Sequence, residues 1–255
     1  MSGADPNFAL RQAFESTIAV VLAAGLGKRF GSDRPKVLQL FRGRPLVHWV
    51  SDALHQSGIS RVIIVIGHHG EEVEKSYDSS AVEFVWQYER LGTGHAVMQA
   101  VPLLQNHRGH ILVLLGDAPC VTPQTITALL DLHVGSHAAA TILSAEVDDP
   151  TGYGRIVRAA DGTVDGIVEH RDADETTRSI REINSGMICF RSDALLANLP
   201  RLTNHNHQQE YYLTDLIGLL RGEGEKVMAY IAPDPREVLG VNSPEELALL
   251  ERLHT

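Results

Sequence analysis

Short apolar runs alternate with helical patterns through the first half of the chain. The runs fall at 18–22, 61–66, 82–86 and 110–115. Each is continuous enough to be a strand covered on both faces of a parallel sheet. The helical patterns fall between and after them, at 45–57, 70–76, 94–104 and 122–134. This alternation predicts an α/β fold with a Rossmann-like, doubly wound and mostly parallel sheet.

The rhythm changes after about residue 137. Strand patterns follow one another closely, at 138–147, 155–158, 163–169 and 182–190. They predict a β-rich insertion over the mouth of the sheet. The remaining predicted elements are helices at 192–198, 211–221 and 244–253 and a strand at 226–231. We therefore predict an N-terminal arm, 1–16, and one domain, 17–255, with halves 17–136 and 137–255.

The loop after the first apolar run combines small residues with cations. The small residues are Ala23, Ala24, Gly25 and Gly27, and the cations that follow are Lys28, Arg29 and Lys36. Small residues let backbone N–H groups approach a ligand, and the cations can neutralise phosphates. The loop matches neither GxxxxGK[ST] nor GxGxxG. It is interpreted as a nucleoside triphosphate site, the alternative being a Gly-rich turn with solvated cations.

Composition limits the function classes. The 255 residues carry a formal net charge of −10, which disfavours a nucleic-acid or membrane-surface protein. No window of 18 apolar residues and no signal peptide is present, so we expect a cytoplasmic protein. Cys120 and Cys189 lie beside apolar segments and are predicted to be buried free thiols. No protein partner is evident.

Histidine clusters raise a metal hypothesis. The chain has 13 histidines, and the tightest groups are His68-His69 and the segment 205–207. No cysteine lies near them and neither matches HExxH, so both are predicted to be surface histidines.

Polar residues follow the predicted strands where ligands bind in open α/β sheets. Gln87 offers a donor and an acceptor for a base edge, and the following helix start at Gly92 and Thr93 could serve a base, ribose or phosphate. Asp117 and Asn242 offer oxygen ligands for Mg²⁺. The alternative is that these residues cap turns and helices.

A second set lies in the β-rich region. Gly154, Glu169 and Asn184 occur on or beside successive predicted strands. A glycine, an acid and an amide in that order could bind the hydroxyls of a sugar.

The order of these motifs resembles the sugar-nucleotide pyrophosphorylases. The resemblance is strongest to the uridylyltransferase domain of the bacterial N-acetylglucosamine-1-phosphate uridyltransferases, and it covers nearly the whole chain. The motifs are LAAGLGKRF, PKVLQ, LGTGHAV, GDAPC, GYGRIVR, GIVEHRDA, EINSGM, EYYLTD and GVNSPEEL. Leu115 stands where an aromatic residue often precedes Gly-Asp in this family, which makes the sugar preference less secure than that for the nucleotide.

The resemblance implies a role for each matching residue. Arg29, Lys36 and Asp117 would be catalytic, with Arg29 and Lys36 holding the triphosphate and the sugar phosphate. Asp117 and Asn242 would hold Mg²⁺. The implied nucleotide contacts are Leu22, Ala23, Ala24, Gly25, Lys36, Gln87, Gly92 and Thr93. The implied sugar contacts are Gly154, Glu169, Asn184, Tyr212 and Thr214. On this reading 17–136 is the nucleotide-binding half and 137–255 the sugar-binding half.

The implied activity is a UDP-N-acetylglucosamine diphosphorylase. It would convert UTP and N-acetylglucosamine 1-phosphate into UDP-N-acetylglucosamine, a peptidoglycan precursor, and pyrophosphate. The alternatives are a related transferase with another hexose or NTP, and a non-catalytic sugar-nucleotide sensor. Bifunctional family members add a β-helix acetyltransferase domain. No hexapeptide repeat is present here, so a stand-alone or shortened form is expected.

Overall fold

The computed structural model describes residues 13–31, 34–77, 82–206 and 208–253, without the side chain of Lys28. The strands are β1 (Thr17–Leu22), β2 (Leu40–Phe41), β3 (Arg44–Pro45), β4 (Arg61–Ile66), β5 (Glu83–Trp86), β6 (His110–Leu115), β7 (Ala140–Glu146), β8 (Arg155–Arg158), β9 (Val164–Val168), β10 (Glu182–Arg191) and β11 (Val227–Ile231). The α-helices are α1 (Leu46–Gln56), α2 (Gly70–Lys75), α3 (Thr93–Leu104), α4 (Pro123–Gly135), α5 (Glu175–Arg178), α6 (Ser192–Asn198), α7 (Asp215–Gly222) and α8 (Pro244–Leu253).

The central sheet has the order β11-β7-β10-β6-β1-β4-β5. β1 lies between β4 and β6 and is parallel to both, with Val20 opposite Ile63 on one side and Val113 on the other. All three of these residues are fully buried. Both faces of these strands are covered, which explains why the corresponding segments of the sequence are continuously apolar.

Helices cover both faces of the sheet. One apolar core joins the sheet to α1 and α4, through residues such as Val50 and Leu129. A second core joins the other face to α3, α6 and α7, through Val97, Leu195 and Leu216. The predicted fold class, a doubly wound and mostly parallel sheet, is confirmed.

The β-rich region corrects one prediction. β7 and β10 belong to the central sheet, with β10 antiparallel to both β6 and β7. β8 and β9 alone form a hairpin beyond this path, and β8 pairs with β10 at Ile183 and Arg155. The pairing of β10 with β7 shifts register between Asn184 and Ile188. On the early side of this irregularity β10 stays paired with β7 but no longer pairs with β6, and Ile183 pairs with β8 of the hairpin instead.

The predicted helix at 211–221 begins later, at Asp215. The backbone of Tyr211 is bound elsewhere: its N–H donates to Leu91 O at 2.7 Å and its carbonyl accepts from Gly94 N at 2.8 Å. These bonds across the chain replace the first helical turn. The short helix α5 was not predicted.

Several smaller expectations can be compared with the structure. Cys120 and Cys189 are free thiols and Cys189 is buried, as predicted, whereas Cys120 is only half-buried. His68 and His205 are exposed, whereas His207 and most of the predicted arm, residues 1–12, lie outside the described residues. In the part of the chain that is described, no helix has both the length and the apolar character needed to cross a membrane. The division into halves at 136 stays a prediction, and both halves contribute strands to one sheet.

Candidate active site

A cavity of about 490 Å³ opens at the carboxyl ends of β1, β5 and β6. Residues predicted for the nucleotide site line it: Leu22, Ala24, Gly25, Lys36, Gln87, Gly92 and Thr93. Asp117, predicted as a catalytic residue and metal ligand, lines it as well. Ala23 is buried behind the surface, where its N–H donates to Val65 O at 2.8 Å. The structure therefore brings these predicted residues to one place, as expected for ligands of an open α/β sheet.

The loop after β1 is shaped by a close approach between its own residues. Gly27 has φ +59°, and a Cβ atom there would lie 2.7 Å from Cβ of Lys36. A larger residue would be strained and would push Lys36 away. Gly27 thus allows the loop to fold back so that Lys36 reaches the cavity.

Arg29 lies at the rim of this site rather than in the cavity lining. Its side chain is 66% exposed, and its guanidinium lies 3.6 Å from Glu246 on α8. The second carboxylate oxygen of Glu246 accepts from the N–H of Asn242 at 2.6 Å. Arg29 is therefore linked to Asn242 through Glu246, and its predicted role in holding phosphates stays a prediction.

Lys36 joins the two predicted metal ligands. Its ammonium forms an ion pair with Asp117 and donates to Asn242 Oδ1 at 2.9 Å. The side chains of Lys36 and Asp117 are only 13% and 12% exposed. The backbone ties the ligands together as well, because Val241 N donates to Asp117 O at 2.8 Å. Two oxygens thus converge on one cation at the cavity wall.

This pair of oxygens fits a magnesium ion. Mg²⁺ prefers hard oxygen ligands and is commonly held by one or two side chains together with phosphates and water. In the described ranges no group of three or more His, Cys, Asp or Glu residues could hold a metal. The remaining ligands of a metal at Asp117 and Asn242 would therefore be water molecules or phosphate oxygens from a substrate.

The base side of the cavity is built around Gln87. This residue is 5% exposed, and its amide nitrogen lies 3.1 Å from Gly92 O and 3.1 Å from Nδ1 of His95. Gly92 has φ +101°, and a Cβ atom there would meet Tyr211 O at 2.6 Å. The hydroxyl of Thr93 accepts from Leu213 N at 3.1 Å. Gly92 and Thr93 therefore dock the segment before α7, and their predicted contacts to a base stay predictions.

The predicted sugar residues Gly154, Glu169 and Asn184 form one cluster. Asn184 N donates to Gly154 O at 2.9 Å, and a Cβ atom at Gly154 would lie 3.3 Å from a carboxylate oxygen of Glu169. Partial burial, with smaller contributions from the charges of Asp172 and Asp215, raises the pKa of Glu169. The cluster offers an acid, an amide and backbone groups suited to hydroxyls.

Tyr212 and Thr214 lie differently. The Tyr212 hydroxyl donates to Gln208 Oε1 at 2.7 Å, and burial, followed by the charges of Glu210 and Glu169, raises its pKa. Thr214 lines a separate cavity of about 440 Å³ beside Gly166 and α7. The structure does not bring Thr214 to the cavity that holds Lys36 and Asp117.

Residues that were not singled out from the sequence also shape the site. Arg90 and Glu210 line the main cavity, and Arg155 is 1% exposed. The guanidinium of Arg155 contacts Tyr153 O and lies 3.2 Å from Nδ1 of His170, so it connects the residue before Gly154 with the one after Glu169. Glu210 and Arg155 lie inside motifs quoted from the sequence, and Arg90 directly precedes LGTGHAV, which was the available signal.

A doubly wound sheet whose strand ends carry a small-residue loop, a lysine and convergent oxygen ligands defines a nucleotidyltransferase. The chain belongs to the family of the MobA-like NTP transferase domain, whose model matches residues 19–212.

Relatives extend the likeness over most of the chain. It is 47% identical over 235 residues to the bifunctional protein GlmU of Geobacillus sp. (strain WCH70), covering 92% of this chain and 51% of that protein. It is 48% identical over 233 residues to the bifunctional protein GlmU of Heliobacterium modesticaldum, covering 91% and 51%. The chain thus spans about half the length of these curated relatives.

The solved structure of UDP-glucose pyrophosphorylase complexed with UDP-glucose matches with a TM-score of 0.77. The alignment covers 93% of this chain and 98% of that chain at 19% identity. At this identity the likeness shows the fold alone.

Proposed function

We propose that the chain is a Mg²⁺-dependent uridylyltransferase that forms UDP-N-acetylglucosamine and pyrophosphate from UTP and N-acetylglucosamine 1-phosphate. The observation that carries the proposal is the convergence of Lys36, Asp117 and Asn242 beside a cavity lined by the small-residue loop. The identity of 42–48% to proteins named GlmU supports the choice of nucleotide and sugar.

The reaction needs a cation more than a base. The attacking phosphate oxygen of the sugar 1-phosphate is already an anion, so no protein group has to remove a proton. It forms a bond to the α-phosphorus of UTP, and the bond from that phosphorus to the β-phosphate bridge oxygen breaks in line. Pyrophosphate leaves with the electron pair and the added negative charge. The barrier is therefore mainly electrostatic.

Different residues of the chain contact the phosphates, the metal, the base and the sugar. Lys36 stabilises the triphosphate, and Arg29 at the rim adds a second positive charge near the entrance. Asp117 and Asn242 would hold Mg²⁺, which would offset negative charge on the phosphates. Gln87 reads the base edge from the buried side of the cavity. Gly154, Glu169 and Asn184 orient the sugar so that its phosphate faces the nucleotide.

A substrate panel tests the proposal. Pyrophosphate release is measured with UTP, CTP, ATP and dTTP against N-acetylglucosamine, glucose and galactosamine 1-phosphates. We expect the highest kcat/KM for UTP with N-acetylglucosamine 1-phosphate. A strong preference for glucose 1-phosphate would identify a related transferase instead. Tight binding of the UDP-sugar without turnover would identify a sensor.

A further inference from the structure

The amide of Gln87 can take one orientation in this site. Its amide nitrogen lies 3.1 Å from Gly92 O, and a backbone carbonyl can only accept a hydrogen bond. The nitrogen end of the amide must therefore face Gly92. The same nitrogen lies 3.1 Å from Nδ1 of His95, which takes the second hydrogen. The carboxamide oxygen is then the group that Gln87 offers to a ligand in the cavity.

Gly92 O favours this orientation, and His95 reinforces it only when Nδ1 is the acceptor nitrogen of the ring, because an N–H at Nδ1 would instead attract the carboxamide oxygen. A neutral imidazole has one acceptor nitrogen and one N–H donor, so it can accept from one neighbouring amide only. Two amides flank the ring, because the amide nitrogen of Gln99 lies 3.2 Å from Nε2. Both amide nitrogens donate to a backbone carbonyl, Gln87 to Gly92 O and Gln99 to His95 O at 3.0 Å. Gln87 is only 5% exposed, so its second hydrogen needs the ring as its acceptor, whereas Gln99 is half-buried and its second hydrogen can meet water. We therefore assign the acceptor to Nδ1 and the hydrogen to Nε2.

The ring of His95 is fixed by the second half of the chain. It stacks on Tyr211 with the ring centroids 6.2 Å apart and the planes at 30°. The backbone of Tyr211 is bound to Leu91 and Gly94 on either side of the α3 start. These contacts restrict the ring of His95 in the position where its Nδ1 faces Gln87.

We propose that His95 is a positioning residue for base selection, and this inference rests on the proposed function. By accepting from the amide nitrogen of Gln87, it holds the carboxamide oxygen toward the base. That oxygen pairs with a base that presents an N–H at position 3, as uracil does. Cytosine presents a bare nitrogen there, so two acceptors meet and the base is disfavoured. Gln87 contacts the base, and His95 acts through it.

Two variants distinguish the role of the Nδ1 acceptor of His95 from the role of its aromatic ring. His95→Phe keeps an aromatic ring against Tyr211 and removes the acceptor, and His95→Asn removes the ring but can place its amide oxygen near the position of Nδ1. UTP and CTP are titrated with Mg²⁺ and without sugar phosphate, so that the readout does not require turnover. Circular dichroism and thermal unfolding check that both variants fold.

We expect the Kd ratio of CTP to UTP to fall three- to tenfold in His95→Phe, roughly the value of one hydrogen bond. In His95→Asn the ratio should stay within threefold of the wild type. A change below threefold in His95→Phe overturns the inference, as does an equal loss in both variants. A purely structural role would lower both affinities together and leave the ratio unchanged. If the wild type itself shows no preference for UTP, the proposed nucleotide is wrong and the inference fails with it.

Discussion

The two halves of the chain build their parts of the site by different physical means. Residues 17–136 supply parallel strand ends, close backbone approaches at Gly27 and Gly92, and one buried ion pair. Residues 137–255 supply an antiparallel strand, a hairpin and charged groups in partly buried places. Burial raises the pKa of Glu169 and Asp215, and Arg155 is buried with its Nε atom unpartnered among the described residues. Both halves supply charged groups, but these close backbone approaches belong to the first half and the carboxyl groups with a raised pKa to the second.

Three of the contacts between the halves can each be tested separately. Lys36 donates to Asn242, Gly94 donates to the carbonyl of Tyr211, and Nδ1 of His133 lies 2.8 Å from the Thr141 hydroxyl. The first lies in the site, the second beside it, and the third in the core beneath α4. A change at the first contact should lower turnover. A change at the second should lower the free energy of unfolding, and a change at the third should alter how that free energy depends on pH.

The largest effect is expected from Asp117→Ala. Losing the carboxylate removes one ligand of the proposed metal and the partner of Lys36, so turnover should fall by about 10² or more. The measurement is pyrophosphate release at saturating Mg²⁺ and both substrates. Asp131→Ala, on the exposed side of α4, is the control and should keep normal turnover. Near-normal turnover in Asp117→Ala would refute the metal assignment.

The added methyl group of Gly94→Ala should push the start of α3 away from Leu202 and Tyr211 in the second half. A Cβ atom at Gly94 would lie 2.6 Å from Leu202 Cδ1 and 2.9 Å from the Tyr211 carbonyl oxygen, and the backbone oxygen cannot easily move. We expect the free energy of unfolding to fall by about 2 kcal/mol, as overpacking does elsewhere. Urea denaturation measures it.

Gly135→Ala is the matched control for Gly94→Ala. It too adds one methyl group to a helix, but a Cβ atom at Gly135 meets nothing within 4 Å. Only the higher helix propensity of alanine then contributes, and we expect the free energy of unfolding to rise by about 0.5 kcal/mol. Equal effects at the two glycines would show that the contact between Gly94 and Tyr211 is unimportant.

His133 makes stability depend on pH. Burial, followed by the charges of His110 and Arg191, lowers its pKa from 6.5 to about 3. As pH falls below 6.5, the imidazole of His133 therefore becomes protonated in the unfolded chain but stays neutral in the folded chain, and the free energy of unfolding decreases. The loss should be about 2 kcal/mol between pH 7 and pH 5, measured by urea denaturation.

The variant His133→Gln tests the source of this loss. Glutamine can still bond to Thr141 and does not titrate, so its stability should change less between pH 7 and pH 5. His68→Gln, at an exposed histidine, should keep the wild-type slope. An unchanged slope in His133→Gln would assign the acid sensitivity to other groups.

The smallest expected effect concerns Lys36 and the metal. Since its ammonium contacts both Asp117 and Asn242, a divalent cation must displace it. Lys36→Met should therefore bind Mn²⁺ about tenfold more tightly without nucleotide, which corresponds to one charge-assisted hydrogen bond. Electron paramagnetic resonance of free Mn²⁺ measures this. Lys75→Met, at an exposed position on α2, is the control. Weaker Mn²⁺ binding in Lys36→Met would contradict the competition.

The sequence predicted the first half of the fold better than the second. The apolar runs identify β1, β4 and β6 because these strands are buried on both faces, and Asp117 could be placed at a strand end for the same reason. The position of β10 between β6 and β7 could not be predicted from the local sequence pattern, since it depends on pairing between distant segments. The late start of α7 likewise depends on Leu91 and Gly94.

The site was predicted in the same uneven way. Most of the implied nucleotide residues line one cavity, which the motif order indicated. The bond from Lys36 to Asn242 spans 206 positions in the chain, and no local pattern reports such a contact. The exposed position of Arg29 and the separate cavity at Thr214 also depend on tertiary packing.

The place of β10 in the sheet also decides how the chain can fold. β6 pairs with β1 on one side and with β10 on the other, so the last strand of the first half is completed only by the second half. Ended at residue 136, the chain would present β6 as an open edge in which Ile111 to Leu114 are normally fully covered. Such an apolar edge favours aggregation. We therefore expect that residues 17–136 need residues 137–253 to complete the sheet.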